Sequence, residues 1–323
     1  MEAIKSQVFH KIIMRFFCFL FFVWSSLVAQ PIDNKYYQEA ITFALNKSLN
    51  QAIESIDKAI HIEGDKTPPI FYFRKYEYLV KLQKYNLAFQ VLNKSISHHP
   101  NSVLLLNTRA EFYFALRKYK QAIFEYEKII PFVVGADLLD YKMKLASCNF
   151  LIRDFEKAAI ITKQVLTNYP SNIHALNLLA ALYTELVHFA KAKEILQRIL
   201  SQDPTNVATI INLGFVFQKE GQHKKALFYF NKALKLSPNN SSALCNRAHS
   251  KLMMKNYKEA MLDIQNSIIS SPSNSYAYMV RGKIYLKLEK HLEACVDFNI
   301  SENLNFTEQY GTKIQELLFD NCK

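Results

Sequence analysis

Glycine is scarce in this chain. Six glycines occur in 323 residues, at positions 64, 135, 214, 221, 282 and 311. Spaced that widely they cannot cradle a phosphate, and no Gly-x-x-x-x-Gly-Lys stretch occurs. A glycine-rich loop fold is excluded for the same reason. There is no Asn-Gly hairpin turn and no sustained two-residue alternation, so strand signals are weak. The sequence has no His-Glu-x-x-His and no Gly-x-Ser-x-Gly, which removes the common metallohydrolase and serine-hydrolase signatures. None of the five cysteines is spaced from another as in a zinc finger. His98-His99 before Pro100 suits a helix C-terminal dipole better than a metal. No catalytic residue, metal or cofactor is expected. An enzyme with a site assembled from scattered residues is the reading of a different class.

What the chain does have is a period. Pro170, Pro204, Pro238 and Pro272 are 34 residues apart, and so are Ala158, Ala192, Ala226, Ala260 and Ala294. Four residues after each alanine stand Thr162, Leu196, Phe230, Ile264 and Phe298; twelve before each stand Ala146, Ala180, Gly214, Ala248 and Gly282. Upstream the register holds with two slips of two residues, through Ala40, Ala52, Ile56, Ala59, Ala88, Pro100, Ala110 and Ala122. Apolar residues within a period fall at helical spacing, as in Leu227, Phe230, Ala233 and Leu234. The closing proline ends the second helix of each period, and the small residue lets the two helices approach. One such pair cannot bury its apolar face alone, so pairs must stack. No linker or low-complexity tract divides the array.

Leu213, Gly214, Phe217, Ala226, Phe230, Ala233 and Pro238 stand where the tetratricopeptide repeat family has Leu, Gly, Tyr, Ala, Phe, Ala and Pro, and the sequence resembles that family. The resemblance implies an all-α, right-handed superhelical solenoid over residues 33–308. About eight helix–turn–helix units are expected, opening near Asp33, Pro69, Val103, Leu139, Ile173, Val207, Ser241 and Ser275. Residues 307–323 carry Ile314, Leu317 and Leu318 at helical spacing and read as a capping helix. Pro131, followed by Phe-Val-Val-Gly-Ala-Asp, departs from the pattern and suggests a bend; Phe306 stands where the last proline would be.

The N-terminus is of another kind. Lys5, Lys11 and Arg15 precede the apolar run 16–29, which ends in small residues at Ala29. This reads as a signal peptide over residues 1–30, with the start at Met1 or Met14. An uncleaved anchor is the alternative, although the run is shorter than the roughly 20 residues that span a bilayer. Exported relatives of this type are mostly bacterial, which places the protein in the periplasm or cell envelope. In an exported chain a disulfide can persist. A cap returning across the last unit would bring Cys322 to Cys295, and similar exported repeat proteins often end in such a pair; two buried thiols are the alternative.

In the family, first helices line a concave groove that binds protein segments. The matching positions are Met143, Asn177, Ile211, Asn212, Phe215, Cys245, Asn246, His249, Leu252, Tyr276 and Met279. Asn212 and Asn246 share the sixth position of successive units, which resembles the asparagine ladder of some peptide-binding repeat domains. The co-chaperone carboxylate clamp is absent from this register. The alternative is a groove of merely tolerated surface residues. The net charge is +12, or about +10 without residues 1–30. Lys191, Lys193, Lys219, Lys224, Lys225, Lys255 and Lys258 are expected along one edge. They either stay solvated beside helix C-termini or meet an anionic envelope surface or acidic partner. Nucleic acid is not expected. The sequence thus points to a non-enzymatic, protein-binding scaffold of the envelope.

Overall fold

A computed structural model describes residues 33–322. The expected signal segment, with Cys18 and Trp24, lies outside the described residues. Among the described residues all regular elements are helical. The chain divides into two compact units between Tyr141 and Lys142, inside α7 (Gly135–Leu151).

The first unit holds α1 (Lys35–Leu45), α2 (Leu49–Glu63), α3 (Pro69–Lys81), α4 (Tyr85–His98), α5 (Val103–Ala115) and α6 (Tyr119–Ile129), then the opening of α7. Its core starts with Tyr37, Ala40, Ala52, Ile56, Ala59, Phe71 and Tyr78, with Tyr37 stacked on Phe71 at 4.5 Å between centroids. Pro131 lies in a short 3-10 turn, Ile130–Phe132, and Gly135 opens α7 at φ +59, four residues before the expected unit start at Leu139.

The second unit continues with α8 (Phe155–Asn168), α9 (Ile173–Glu185), α10 (Phe189–Gln202), α11 (Val207–Lys219), α12 (His223–Leu236), α13 (Ser241–Met253), α14 (Tyr257–Ser270), α15 (Ser275–Lys287) and α16 (His291–Asn303). Asn172, Asn206 and Asn240 follow the prolines by two residues. Each accepts a hydrogen bond from a first-turn backbone N–H of the next helix, at 2.8, 3.1 and 3.0 Å. The asparagines at this period are therefore helix N-caps.

Within each pair the turn follows one device. The second residue after the first helix adopts a left-handed conformation, and the next N–H reaches back to a carbonyl five residues earlier, as in Lys84 to Leu79, His188 to Tyr183 and Lys290 to Tyr285. The left-handed positions are Lys47, Gln83, Arg117, Arg153, Val187, Gly221, Lys255 and Glu289. Glycine supplies only one of these eight. Val187, β-branched and exposed at φ +64, is the most strained choice of residue. Val187→Gly is expected to raise stability by about 1 kcal/mol, because relief of the left-handed clash exceeds the added chain entropy of glycine. A urea midpoint that does not rise would show the turn to be unstrained.

Gly214 and Gly282 sit where helices meet. A methyl group at Gly282 would lie 2.7 Å from Cδ1 of Phe298 and closer still to Cε1; one at Gly214 would lie 2.7 Å from Cε1 of Phe230. Both rings are fully buried. The positions of Ala180 and Ala248 admit a methyl because Leu196 and Ile264, not phenylalanine, follow sixteen residues later. Gly282→Ala should therefore cost about 1–3 kcal/mol. Paired with Phe298→Leu it should recover part of that loss, with a coupling of at least about 0.5 kcal/mol in a double-mutant cycle. Additive losses would mean that the two positions do not compete for space.

The end of the chain differs from the expected single capping helix. Asn305, left-handed at φ 61 and ψ 41, ends α16 and redirects the chain into α17 (Phe306–Tyr310); Gly311, at φ +83, separates it from α18 (Lys313–Asn321). The cap is thus two short helices. Phe306 and Ile314 bury its apolar side in the core of the last pairs. Cys295 on α16 and Cys322 after α18 stand at disulfide distance, S–S 2.01 Å with Cα atoms 5.6 Å apart.

Candidate functional site

The first helices of the second unit carry all eleven residues expected in a groove. They do not form one open lining. Ile211, Cys245, Leu252 and Met279 are buried, and three of them belong to the core between the last pairs. Their side chains point at neighbouring helices, since packing α11, α13 and α15 side by side requires apolar contact between them. Burial raises the Cys245 thiol to about 12, so it is no nucleophile. Met143, Asn177, Asn212, Phe215, Asn246, His249 and Tyr276 are half-buried.

Much of the polar capacity on this face is spent between neighbouring units. Asn177 donates to Thr209 Oγ1 at 2.9 Å, and Asn212 donates to Asn177 Oδ1 at 2.9 Å, tying α11 to α9. Gln218 donates to the Asn246 carbonyl at 2.7 Å and to Ser250 Oγ at 2.9 Å, tying α11 to α13. Tyr276 shares a 2.7 Å hydrogen bond with His249 Nδ1, tying α13 to α15. Asn212, which shares its register with Asn246 and is expected from the sequence to face a bound segment, has its amide bonded to Asn177. The reason is that a polar group at a helix–helix contact must find a partner when water is excluded. The Gln218 Oε1 and His223 Nδ1 atoms remain buried without a partner. A shallow depression of about 450 Å³ opens where α11 approaches the start of α13, lined by Val207, Ala208, Ile211, Asn212, Ser237, Asn240 and Ser242.

The expected basic edge is partly neutralised. Lys193 pairs with Glu220 at 2.7 Å, and Lys219 with Glu185 at 3.0 Å. Lys191 lies over the Tyr183 ring and Lys225 over the Phe217 ring, at 5.7 and 5.6 Å. Lys224, Lys255 and Lys258 are exposed. Of the seven lysines two are thus paired with carboxylates, and the other five are exposed, two of them over aromatic rings.

A further set of side chains was legible only as a sixteen-residue step. Arg109 donates to Asn93 and Glu125, sixteen residues to either side, at 3.0 and 2.9 Å. Arg247 likewise donates to Asn231 at 2.8 Å and to both oxygens of Asp263 at 2.8 and 2.6 Å. Arg281 holds Asp297 at 2.7 Å through two nitrogens. Arginine from a first helix thus clamps a buried carboxylate on its own second helix, and in two cases reaches back to the preceding one.

The tetratricopeptide repeat family matches residues 140–172, 208–240 and 229–261. The chain is a tetratricopeptide repeat protein. Among solved structures, the hetero-tetramer Cut9–Hcn1 of the APC/C is similar at 15% identity and a TM-score of 0.54, over 88% of this chain and 55% of that one. A tetratricopeptide repeat protein of Parabacteroides merdae is similar at 19% identity and a TM-score of 0.47, over 89% of this chain and 98% of that one. One of Thermus thermophilus has 14% identity and a TM-score of 0.48, over 56% and 96%. A comparison with curated proteins gives no match. Tetratricopeptide repeat proteins are generally non-enzymatic, and this one is a scaffold for protein–protein interaction.

In this repeat protein His249 is the group whose charge matters most to the packed first helices. Burial, with Lys283, His223 and Lys219 nearby, lowers its pKa to about 4. Burial also raises the Tyr276 hydroxyl well above its ordinary value, so the phenol keeps its proton for the neutral imidazole. The unfolded imidazole titrates near 6.5, so the unfolded chain binds more protons between that pH and 4. Stability contributed by neutral His249 is complete above about 6.5 and falls as pH drops toward 4. At about one and a third kcal/mol per pKa unit, the whole shift corresponds to a loss on the order of 3 kcal/mol. His249→Gln should flatten this part of the stability–pH curve measured by chemical denaturation; an unchanged slope would assign the acid sensitivity to other groups.

Proposed function

We propose that this protein is an exported bacterial envelope scaffold, and that its second unit receives an extended segment of a partner protein along the first helices. The observation that carries the reading is that Asn212, Phe215, Asn246 and Tyr276 are half-buried rather than sealed on successive first helices, with Asn212 lining the depression at α11 and α13. Aromatic and amide groups side by side supply apolar contact and backbone hydrogen bonding to an extended chain. The charged n-region, apolar run and small-residue end of residues 1–30 support export. A basic edge resting on an anionic surface is the weaker reading, since Lys193 and Lys219 already have carboxylate partners.

Asn212 is a poor probe by itself, because its amide also bonds Asn177. Asn246→Ala with Phe215→Ala removes recognition groups and leaves the inter-unit bonds of Asn212 and Gln218 in place. The tagged protein is used to capture partners from an envelope extract, and captured proteins are compared between wild type and variant at equal thermal stability. Affinity for a captured partner should fall by about 1–3 kcal/mol in the variant. Equal retention by both forms would remove the first-helix face from the interaction.

A further inference from the structure

A strong charge asymmetry centres on the second helix α12 and its neighbours. Residues 207–258 carry nine Lys or Arg and a single carboxylate, Glu220, which Lys193 already occupies. Helix α12 has four lysines and no acid. Lys224, Phe228, Lys232 and Lys235 follow one another at four-, four- and three-residue steps, so they share one stripe of the helix. Phe228 is 65% exposed on that stripe.

Beside it lies a depression of about 610 Å³ lined by Phe228, Asn231, Lys232, Leu234, Lys235 and Arg247. Leu234 is buried beneath, and Phe228 forms an apolar side. Arg247 is a fixed wall, because its nitrogens are engaged by Asn231 and Asp263. Its charge is matched by Asp263, which Lys251 also approaches at 2.9 Å. Lys232 and Lys235 have no carboxylate partner among the described residues. The rim therefore offers two uncompensated ammonium groups over an apolar recess, with Lys224 one turn before Phe228 on the same stripe.

We propose that this recess on α12 and α13 is a second docking site, for an acidic partner segment that places an apolar side chain between Phe228 and Leu234 and carboxylates against Lys232 and Lys235. Charge complementarity selects an acidic occupant. The recess selects a peptide over a bilayer: its apolar groups line a hollow that a side chain can enter and a flat surface cannot. None of its lining residues is among the eleven groove residues, although Arg247 stands on the first helix α13.

The test uses the full chain and three probes: a short fluorescent peptide of alternating glutamate and leucine, the same peptide with serine for leucine, and phosphatidylcholine vesicles containing phosphatidylglycerol. The glutamate–leucine peptide should bind, and the glutamate–serine peptide should bind at least tenfold more weakly, about 1.4 kcal/mol. Phe228→Ser with Lys232→Gln and Lys235→Gln should weaken the leucine peptide at least tenfold, while Asn246→Ala leaves it unchanged. Should the triple variant melt early, Lys232→Glu with Lys235→Glu, both at the surface, should abolish binding alone. No peptide binding, equal binding of the two peptides, or binding of the vesicles alone would overturn the proposal. So would loss of affinity in Asn246→Ala comparable to that in the triple variant.

Discussion

The close approach of two helices at one small residue is the contact on which the rest of this molecule is built. Ala40, Ala110, Ala146, Ala180, Ala248 and the two glycines at 214 and 282 leave room for a side chain on the second helix, and Ala52, Ala88, Ala122 and their successors return the favour. These alanines are fully buried. Where the second helix presents phenylalanine, at 230 and 298, even a methyl is too much and glycine takes its place. The pair so formed still has an apolar face, and stacking of the next pair covers it. A left-handed residue at each turn brings the second helix back onto the first, and the chain accepts lysine, arginine, glutamine, glutamate and valine there although it has few glycines to spare.

Stacking has a second consequence. First helices placed side by side shut water out from between them, so their polar side chains satisfy each other before they can meet a partner. Asn177, Thr209 and Asn212 form one such set; Gln218 and Ser250, with the main-chain carbonyl of Asn246, another; His249 and Tyr276 a third. These bonds fix the spacing of the units, and they narrow what is left for recognition to residues such as Phe215 and the free side of Asn246. The arginine clamps do the same work within pairs. The outer stripe of α12 is under no such demand, and its lysines stay uncompensated.

The C-terminus shows how a stack is closed. Phe306 sits at the position where a proline ends other units. It is instead a core residue, because Asn305 turns the chain left-handed and sends Phe306 inward toward Tyr276 and Tyr310, with ring centroids 6.4 and 4.8 Å away. Cys322 returns to Cys295 behind it.

The all-helical repeat was legible in the sequence because each period contains its own start, turn and stop. Small residues, apolar spacing and proline are local signals, and repetition at 34 residues multiplies them. Asparagine two residues after Pro170, Pro204 and Pro238 was in plain view as well, though its role as an N-cap needed the backbone. The sequence by itself therefore determined the helical class, the pairing of helices and the absence of familiar catalytic signatures. Which first-helix residues remain accessible was decided only by the tertiary structure. Ile211 and Met279 occupy the same kind of position as the half-buried groove residues, yet neighbouring helices bury them. Asn212 turns to Asn177, one unit back, while Asn246 lies one unit forward. Exposure and partner choice at these sites depend on the distance between elements some 34 residues apart, and no local pattern carries that distance.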